Sequence, residues 1–339
     1  MNELFCFVYD GCLLLDCETF VYSCMKDVVY CSVFSSLSSM FTMQDLDAFI
    51  TAPKRLLKFL RDRFLLLPLH TPCPHSSHDN IHFMGYVKRN DVPDEFSYYC
   101  SHCNTRISLR HRSVFQHSTQ TLLVCCRILV CFDLQLTVTQ TAALLGLSRN
   151  IVGDFYYYVR DKLFNYMHTH FRKLSSNEVL EHDELFLRHL IAIGPDQEEL
   201  PATWIFGILS RTTGRVYLQI IPDREASTFE NIYNQCVEPD AMVLTDGWSY
   251  GNWLNRRYHH YVCKKVPVPG HTIEEPWEVN DSKFGKIMVH TNSIEGFWAE
   301  FRAKLHWSRG WPAIYMPYIL AEFMYRKEGI SPLIALQIQ

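Results

Sequence analysis

Apolar positions along the chain recur with two different periods. From Met43 they return every three or four residues, at Leu46, Phe49 and Ile50 and then at Leu56, Leu57, Phe59 and Leu60. That spacing predicts two short helices leading to Pro68. Residues 119–165 continue in helical fashion. Between 177 and 270 the pattern changes to short apolar runs bounded by turn residues, which predict strands. Val179 to Phe186 is a mixed run, and Thr203 to Leu209 reads as a buried strand. Arg211 to Arg215 is a turn, and Val216 to Ile221 is the returning strand. Ala226 to Val237 predicts a helix, Ala241 to Asp246 a parallel-type strand ending on an acid, and His260 to Cys263 a further strand. The helical period then returns at Ile294, Trp298 and Phe301, a buried stripe. Asn292 or Ser293 supplies a side-chain oxygen to cap this helix. Glu295 falls in its first turn, where negative charge is favoured, and Arg302 lies about two turns on, on the same face.

Length allows two or three domains in 339 residues. Residues 1–42 are apolar, aromatic and rich in cysteine, with neither period clean and no basic leader ahead of an apolar core. They are left as an unassigned extension. Residues 43–112 form the short helices and a cysteine-bearing unit, 113–175 a helical domain, and 176–335 the strand-rich domain with its C-terminal helices. Net charge is -4, so any grip on nucleic acid must come from local patches. No apolar run reaches the roughly 18 residues of a membrane span. Val124 to Leu136 comes nearest and is interrupted by Arg127 and Asp133.

Thirteen cysteines are present, but only Cys100 and Cys103 form a CxxC pair. In a chain this rich in core residues they point to a reducing compartment and one metal site rather than a disulfide framework. Cys73 precedes that pair by a spacing that suits a zinc ribbon, in which two knuckles share one tetrahedral ion. Serine 76 stands where a second thiolate of the first knuckle would fall. His78 is the expected fourth ligand, with His75 an alternative and His70 a weaker one. Lys88, Arg89, Arg106, Arg110 and Arg112 surround this unit and offer a positive surface to phosphate.

The stretch Leu136 to Val152 has helix-turn-helix character. Ala142 is small where two helices must approach, Gly146 permits the turn, and Val152 faces the core. Ser148 caps the second helix, which places Arg149 and Asn150 at the end where recognition helices meet bases. The aromatic run Phe155 to Tyr158 reads as packing.

In the strand-rich domain, a three-strand meander followed by a helix and a parallel strand is the order of an RNase H-like α/β fold. Asp183, Asp246 and Glu295 occur in that order on a first strand, a strand end and a late helix. Carboxylates converging in this way hold two divalent ions, which activate a water or 3′-hydroxyl and stabilise a leaving oxygen in phosphoryl transfer. Mg²⁺ or Mn²⁺ suits such hard oxygen ligands.

Several ordered motifs extend the picture: Glu181-His-Asp-Glu-Leu-Phe, Trp204-Ile-Phe-Gly, Pro222-Asp-Arg, Thr245-Asp-Gly-Trp, His290-Thr-Asn-Ser-Ile-Glu-Gly-Phe-Trp and Glu322-Phe-Met-Tyr-Arg326. Together they resemble the DDE transposases of Merlin-type DNA transposons and related bacterial insertion sequences, over roughly residues 43–328. The resemblance implies cut-and-paste transposition: binding of terminal inverted repeats in double-stranded DNA, cleavage at the element ends, and attack of the 3′-OH on target DNA. It makes Asp183, Asp246 and Glu295 the acidic triad, Asn292 an alternative third ligand, and Arg302 the basic position after the glutamate. It also implies at least a homodimer on DNA, and residence in the nucleus if the host is eukaryotic. Two departures stand out. The stretch from His259 to Phe284, with its prolines, reads as a surface insertion. Phe186-Leu-Arg-His is poorer in charge than the family's stretch after the first aspartate. A non-catalytic DNA-binding protein derived from a transposase is the alternative function, and an RNA-directed nuclease is a weaker one.

Overall fold

The computed structural model describes residues 42–339, apart from 51, 69–70, 77–80, 188–202, 248–252, 269–270, 308–312, 330–335 and 338–339. The extension before residue 42, His70 and His78 therefore lie outside the described residues, as do Arg188 and His189. Two short helices, α1 (Met43–Asp47) and α2 (Pro53–Arg61), come first, as the period predicts. Thr42 and Asp45 cap α1 reciprocally, and Pro53 opens α2 where no donor is needed.

Strands β1 (Gly85–Lys88), β2 (Phe96–Tyr99) and β3 (Arg106–Ser108) form a small antiparallel sheet. Helices α3 (Leu122–Asp133), α4 (Val138–Leu145) and α5 (Arg149–His170) follow. Gly146 ends α4 with a φ of 66°, a left-handed conformation that a side chain would strain. The Ser148 hydroxyl accepts the Ile151 N–H at 3.3 Å and starts α5. Val152 and Ala142 are buried between the helices, and Thr141 meets the Tyr156 hydroxyl at 2.7 Å. The aromatic run is packing: Phe155 and Tyr156 are buried, and Tyr157 sits edge-on to Tyr315 and Tyr318.

The main sheet is mixed and has five strands. β4 (Val179–Leu187), β5 (Thr203–Ser210) and β6 (Val216–Ile221) form the antiparallel meander. Helix α6 (Ala226–Cys236) then crosses to β7 (Met242–Thr245), which lies parallel to β4, and α7 (Leu254–Arg257) leads to β8 (His259–Val262), parallel to β7. The strand order is β6-β5-β4-β7-β8. Leu180, Phe206, Ile208 and Val243 pack against Phe229, Ile232 and Tyr233 of α6 on one face. Val179, Met242 and Leu244 line the other.

The stretch after β8 departs from the expected surface insertion. It forms two hairpins, β9 (Lys264–Val268) with β10 (His271–Glu275), and β11 (Trp277–Asp281) with β12 (Gly285–Val289). Alternation in β11 and β12 turns Trp277, Val279, Ile287 and Val289 toward the sheet. Buried Asp281 holds the second hairpin to β8 by accepting from the Tyr261 hydroxyl at 2.8 Å and pairing with His259 at 2.7 Å.

Helix α8 (Asn292–Trp307), a short 3₁₀ turn at Ala313–Tyr315 and α9 (Met316–Lys327) close the chain. Ile294, Trp298 and Phe301 are all buried, as their spacing predicts. The Glu322-to-Arg326 motif is a clamp: Glu322 pairs with Arg160 of α5 at 2.7 Å and with Arg326, while Arg326 donates to the carbonyl of Phe132 at 2.9 Å. No helix among the described residues is long and apolar enough to cross a membrane.

Candidate active site and metal cluster

The register between β4 and β7 runs from Val179–Met242 to His182–Thr245. Asp183 comes next within β4, and Asp246 directly follows the last residue of β7. The two acids therefore stand side by side at the carboxyl end of β7, on the face shared with Val179 and Leu244. Burial, and after it the negative charge of Asp246, pushes the Asp183 carboxyl up to about 6. Asp183 accepts the N–H of Glu184 at 2.8 Å, and Asp246 pairs with the Lys265 ammonium of β9 at 3.0 Å.

Helix α8 docks on this same face. Gly207 is the β5 partner of Asp183, and a methyl group there would come within 2.5 Å of the Trp298 ring and 3.4 Å of Ile294. The missing side chain is what lets the helix lie so close to the first aspartate. Two residues before Asp183, fully buried Glu181 accepts the N–H of Ile294 at 2.8 Å. Its other oxygen takes Arg211, whose guanidinium also donates to the carbonyl of Met288 at 2.7 Å and to that of His290. Glu181 thus fills the role expected of Asn292 or Ser293. The helix begins at Asn292, and the donor of its third residue is satisfied by a carboxylate from the sheet, which also suits the helix dipole.

Asn292, Glu295 and Arg302 are exposed on α8. The structure brings Asp183 and Asp246 together, and sets Glu295 and Asn292 in the first turn of the helix fastened beside them. The carboxylate pair suits a hard divalent cation, because positive charge would offset both the burial and the neighbouring negative charge that hold Asp183 up.

A second cluster lies in the three-stranded unit. Ligand atoms of Cys73, His82, Cys100 and Cys103 all fall within 4.8 Å of one another and could hold a metal ion. The N–H of Cys73 donates to the carbonyl of His82 at 2.9 Å beside an antiparallel bridge between Pro72 and Phe83, and that of Cys100 donates to the carbonyl of Thr105 at 2.9 Å across the turn that carries Cys103. Hydrogen bonds from Thr105 hold Cys103 down to about 5, while burial pushes Cys73 up to about 11. One ligand is thus a ready thiolate.

Among the described residues the fourth donor of the cluster is His82, which the sequence reading did not single out, while His75 meets the Thr105 hydroxyl at 2.9 Å and the expected His78 lies outside the described residues. The signal was present: exposed Ile81 and Phe83 flank His82 in strand-like alternation, which turns the imidazole inward.

Arg110 also requires correction. It is buried and pairs with both oxygens of Asp94, at 2.5 and 2.6 Å, so its donors are spent inside the protein. Arg106 is exposed, as are Arg149 and Asn150 at the start of α5. Glu181, Arg211 and Lys265 were not singled out from sequence, because nothing in their local spacing marks their partners.

Residues 191–328 match the ISXO2-like transposase domain. The match takes in Asp246, Asn292, Glu295 and Arg302 and begins after Asp183. No curated protein matches the chain. The match supports a DDE transposase, and the five-stranded mixed sheet fits that assignment. Transposase domains of this class imply DNA as partner and generally use divalent metals.

Proposed function

We propose that the protein is a cut-and-paste DNA transposase of Merlin type, with an RNase H-like catalytic domain. The observation that carries the reading is the Asp183–Asp246 pair, one acid within β4 and the other just past the end of the parallel neighbour β7, with α8 docked beside it through Gly207 and Glu181. In this reading Asp183, Asp246 and Glu295 hold Mg²⁺ or Mn²⁺, with Asn292 the alternative third ligand. When bound, two such ions supply activation of a water or 3′-hydroxyl and stabilisation of the leaving oxygen.

The chain's own residues do the rest. Asp183 must lose its proton to act as a ligand, which it does as pH passes about 6. Glu181 and Arg211 keep α8 in place, so that Glu295 does not drift from the strand ends. Arg302, two turns along the exposed face, meets the phosphate backbone. The helices α4 and α5 act as a helix-turn-helix, with Arg149 and Asn150 reading the terminal inverted repeats and Arg106 contacting phosphate. Cys73, His82, Cys100 and Cys103 hold Zn²⁺ in a ribbon-like unit. Two element ends must be joined, so the working form is at least a dimer on DNA. In a eukaryotic host it acts in the nucleus.

Cleavage of an end-labelled duplex carrying the element's own terminal repeats tests the reading. Asp246→Asn should lower Mn²⁺-supported nicking by at least about 10³-fold without lowering the melting temperature. Retained cutting would remove Asp246 from the site. Salt-sensitive binding with no cleavage by the native chain under any divalent metal would leave only a DNA-binding protein.

A further inference from the structure

We infer that Lys265 occupies the cation position beside Asp246 in the metal-free protein and yields it when a divalent ion binds. The inference rests on the reading that Asp183 and Asp246 hold that ion. Three observations carry it. The Lys265 ammonium lies 3.0 Å from Asp246 Oδ2, contact distance for a charged pair. Lys265 belongs to β9, which pairs with β10 in a two-stranded sheet apart from the five strands that carry the aspartates. Withdrawing it breaks no pairing of the main sheet. Finally, its side chain is 42% exposed while that of Asp246 is 16% exposed, so the lysine enters from the solvent side of a sheltered carboxylate.

The neighbouring Lys264 is engaged elsewhere, over the Trp277 ring at 4.8 Å. Adjacent residues of a strand point to opposite faces, so only Lys265 is turned to the site. A lysine ammonium is a mobile single charge on a four-carbon stem. It neutralises one carboxylate and leaves the repulsion from the second. A divalent ion serves both, and its two charges repel the ammonium. Metal entry therefore displaces Lys265, and the lysine weakens metal affinity by the work of that displacement.

Mn²⁺ titration of the full chain without DNA, followed by the paramagnetic resonance of free Mn²⁺ at pH 7.5, tests this. Lys265→Met is expected to bind Mn²⁺ roughly three- to tenfold more tightly than the native chain, with the gap narrowing as salt is raised. Lys265→Arg keeps the charge and should stay near the native value. Lys265→Gln, run beside the methionine variant, separates loss of charge from disturbance of the hairpin. Asp246→Asn should lose the site. If Asp246→Asn abolishes binding while both neutral variants bind no more tightly than the native chain, Lys265 is not a competing cation and the metal site stands. If neither the native chain nor the neutral variants bind Mn²⁺, or Asp246→Asn binds it unchanged, the metal reading falls and this inference with it.

Discussion

Cys73 and His82, held across a bridge, close on Cys100 and Cys103, held on a turn, with two of the four buried. Asp183, within β4, meets Asp246 just past the end of the parallel β7, with a lysine from a separate hairpin leaning in. The first arrangement offers four soft donors and no vacant position, the design of a structural staple. The second offers hard oxygens and leaves the remaining coordination to other groups, as a working site must. They differ in sign as well. Closing the thiol cluster on a metal adds to folding. Crowding two carboxylates works against folding until a cation arrives. On the proposed reading, stability and function are placed in different parts of the chain.

Removing a thiolate is the strongest way to break that contrast. Cys100→Ser should lose about one equivalent of tightly held zinc and expose residues 71–108 to protease, since structural zinc supplies roughly 10 kcal/mol of folding free energy in small zinc units. The five-stranded sheet should melt as before. Full zinc content in the variant would show that the cluster is not a metal site. A smaller effect is expected at the strut between sheet and helix. Glu181→Ala leaves Arg211 without its buried partner and the N–H of Ile294 without an acceptor, a loss of about 3–5 kcal/mol in a denaturant melt. Glu181→Gln should lose less, because an amide oxygen still accepts from Ile294. An unchanged midpoint for the alanine variant would sink the strut.

The smallest effect sharpens the carboxylate side. Asp183 titrates near 6 when folded, against an ordinary value of 3.8. The folded state therefore holds the proton more tightly, stability falls as pH climbs between those values, and the penalty is complete above about 6. Without metal, Asp183→Asn should raise stability by up to about 3 kcal/mol at pH 7.5 and leave it nearly unchanged near pH 3.5. Equal stability of the two proteins at pH 7.5 would mean that neither burial nor the neighbouring Asp246 charge strains the Asp183 carboxylate.

Much of this was legible in the chain itself. The pattern of apolar residues announced two short helices before Pro68 and placed the meander β4 to β6, α6 and β7 within a residue or two, because a buried stripe imposes its repeat on the sequence. Gly146 and Ser148 announced the turn between α4 and α5 for local reasons of backbone freedom and capping. The hairpins after β8 were less visible, since their prolines and charges imitate a loop and their pairing lies across the turn.

What the sequence determined by itself was which residues are candidates for chemistry and on which elements they sit: one acid on the first strand of the meander, one just past a parallel strand and one in the first turn of a helix, with a thiol pair on a turn. What only the tertiary structure decided was which of them have company. It brought His82 to the thiols, spent Arg110 on Asp94, set Glu181 under the start of α8 and swung Lys265 onto Asp246. Periodicity records burial within one segment. Charge pairs and ligand sets join segments tens of residues apart, and no local spacing encodes that distance.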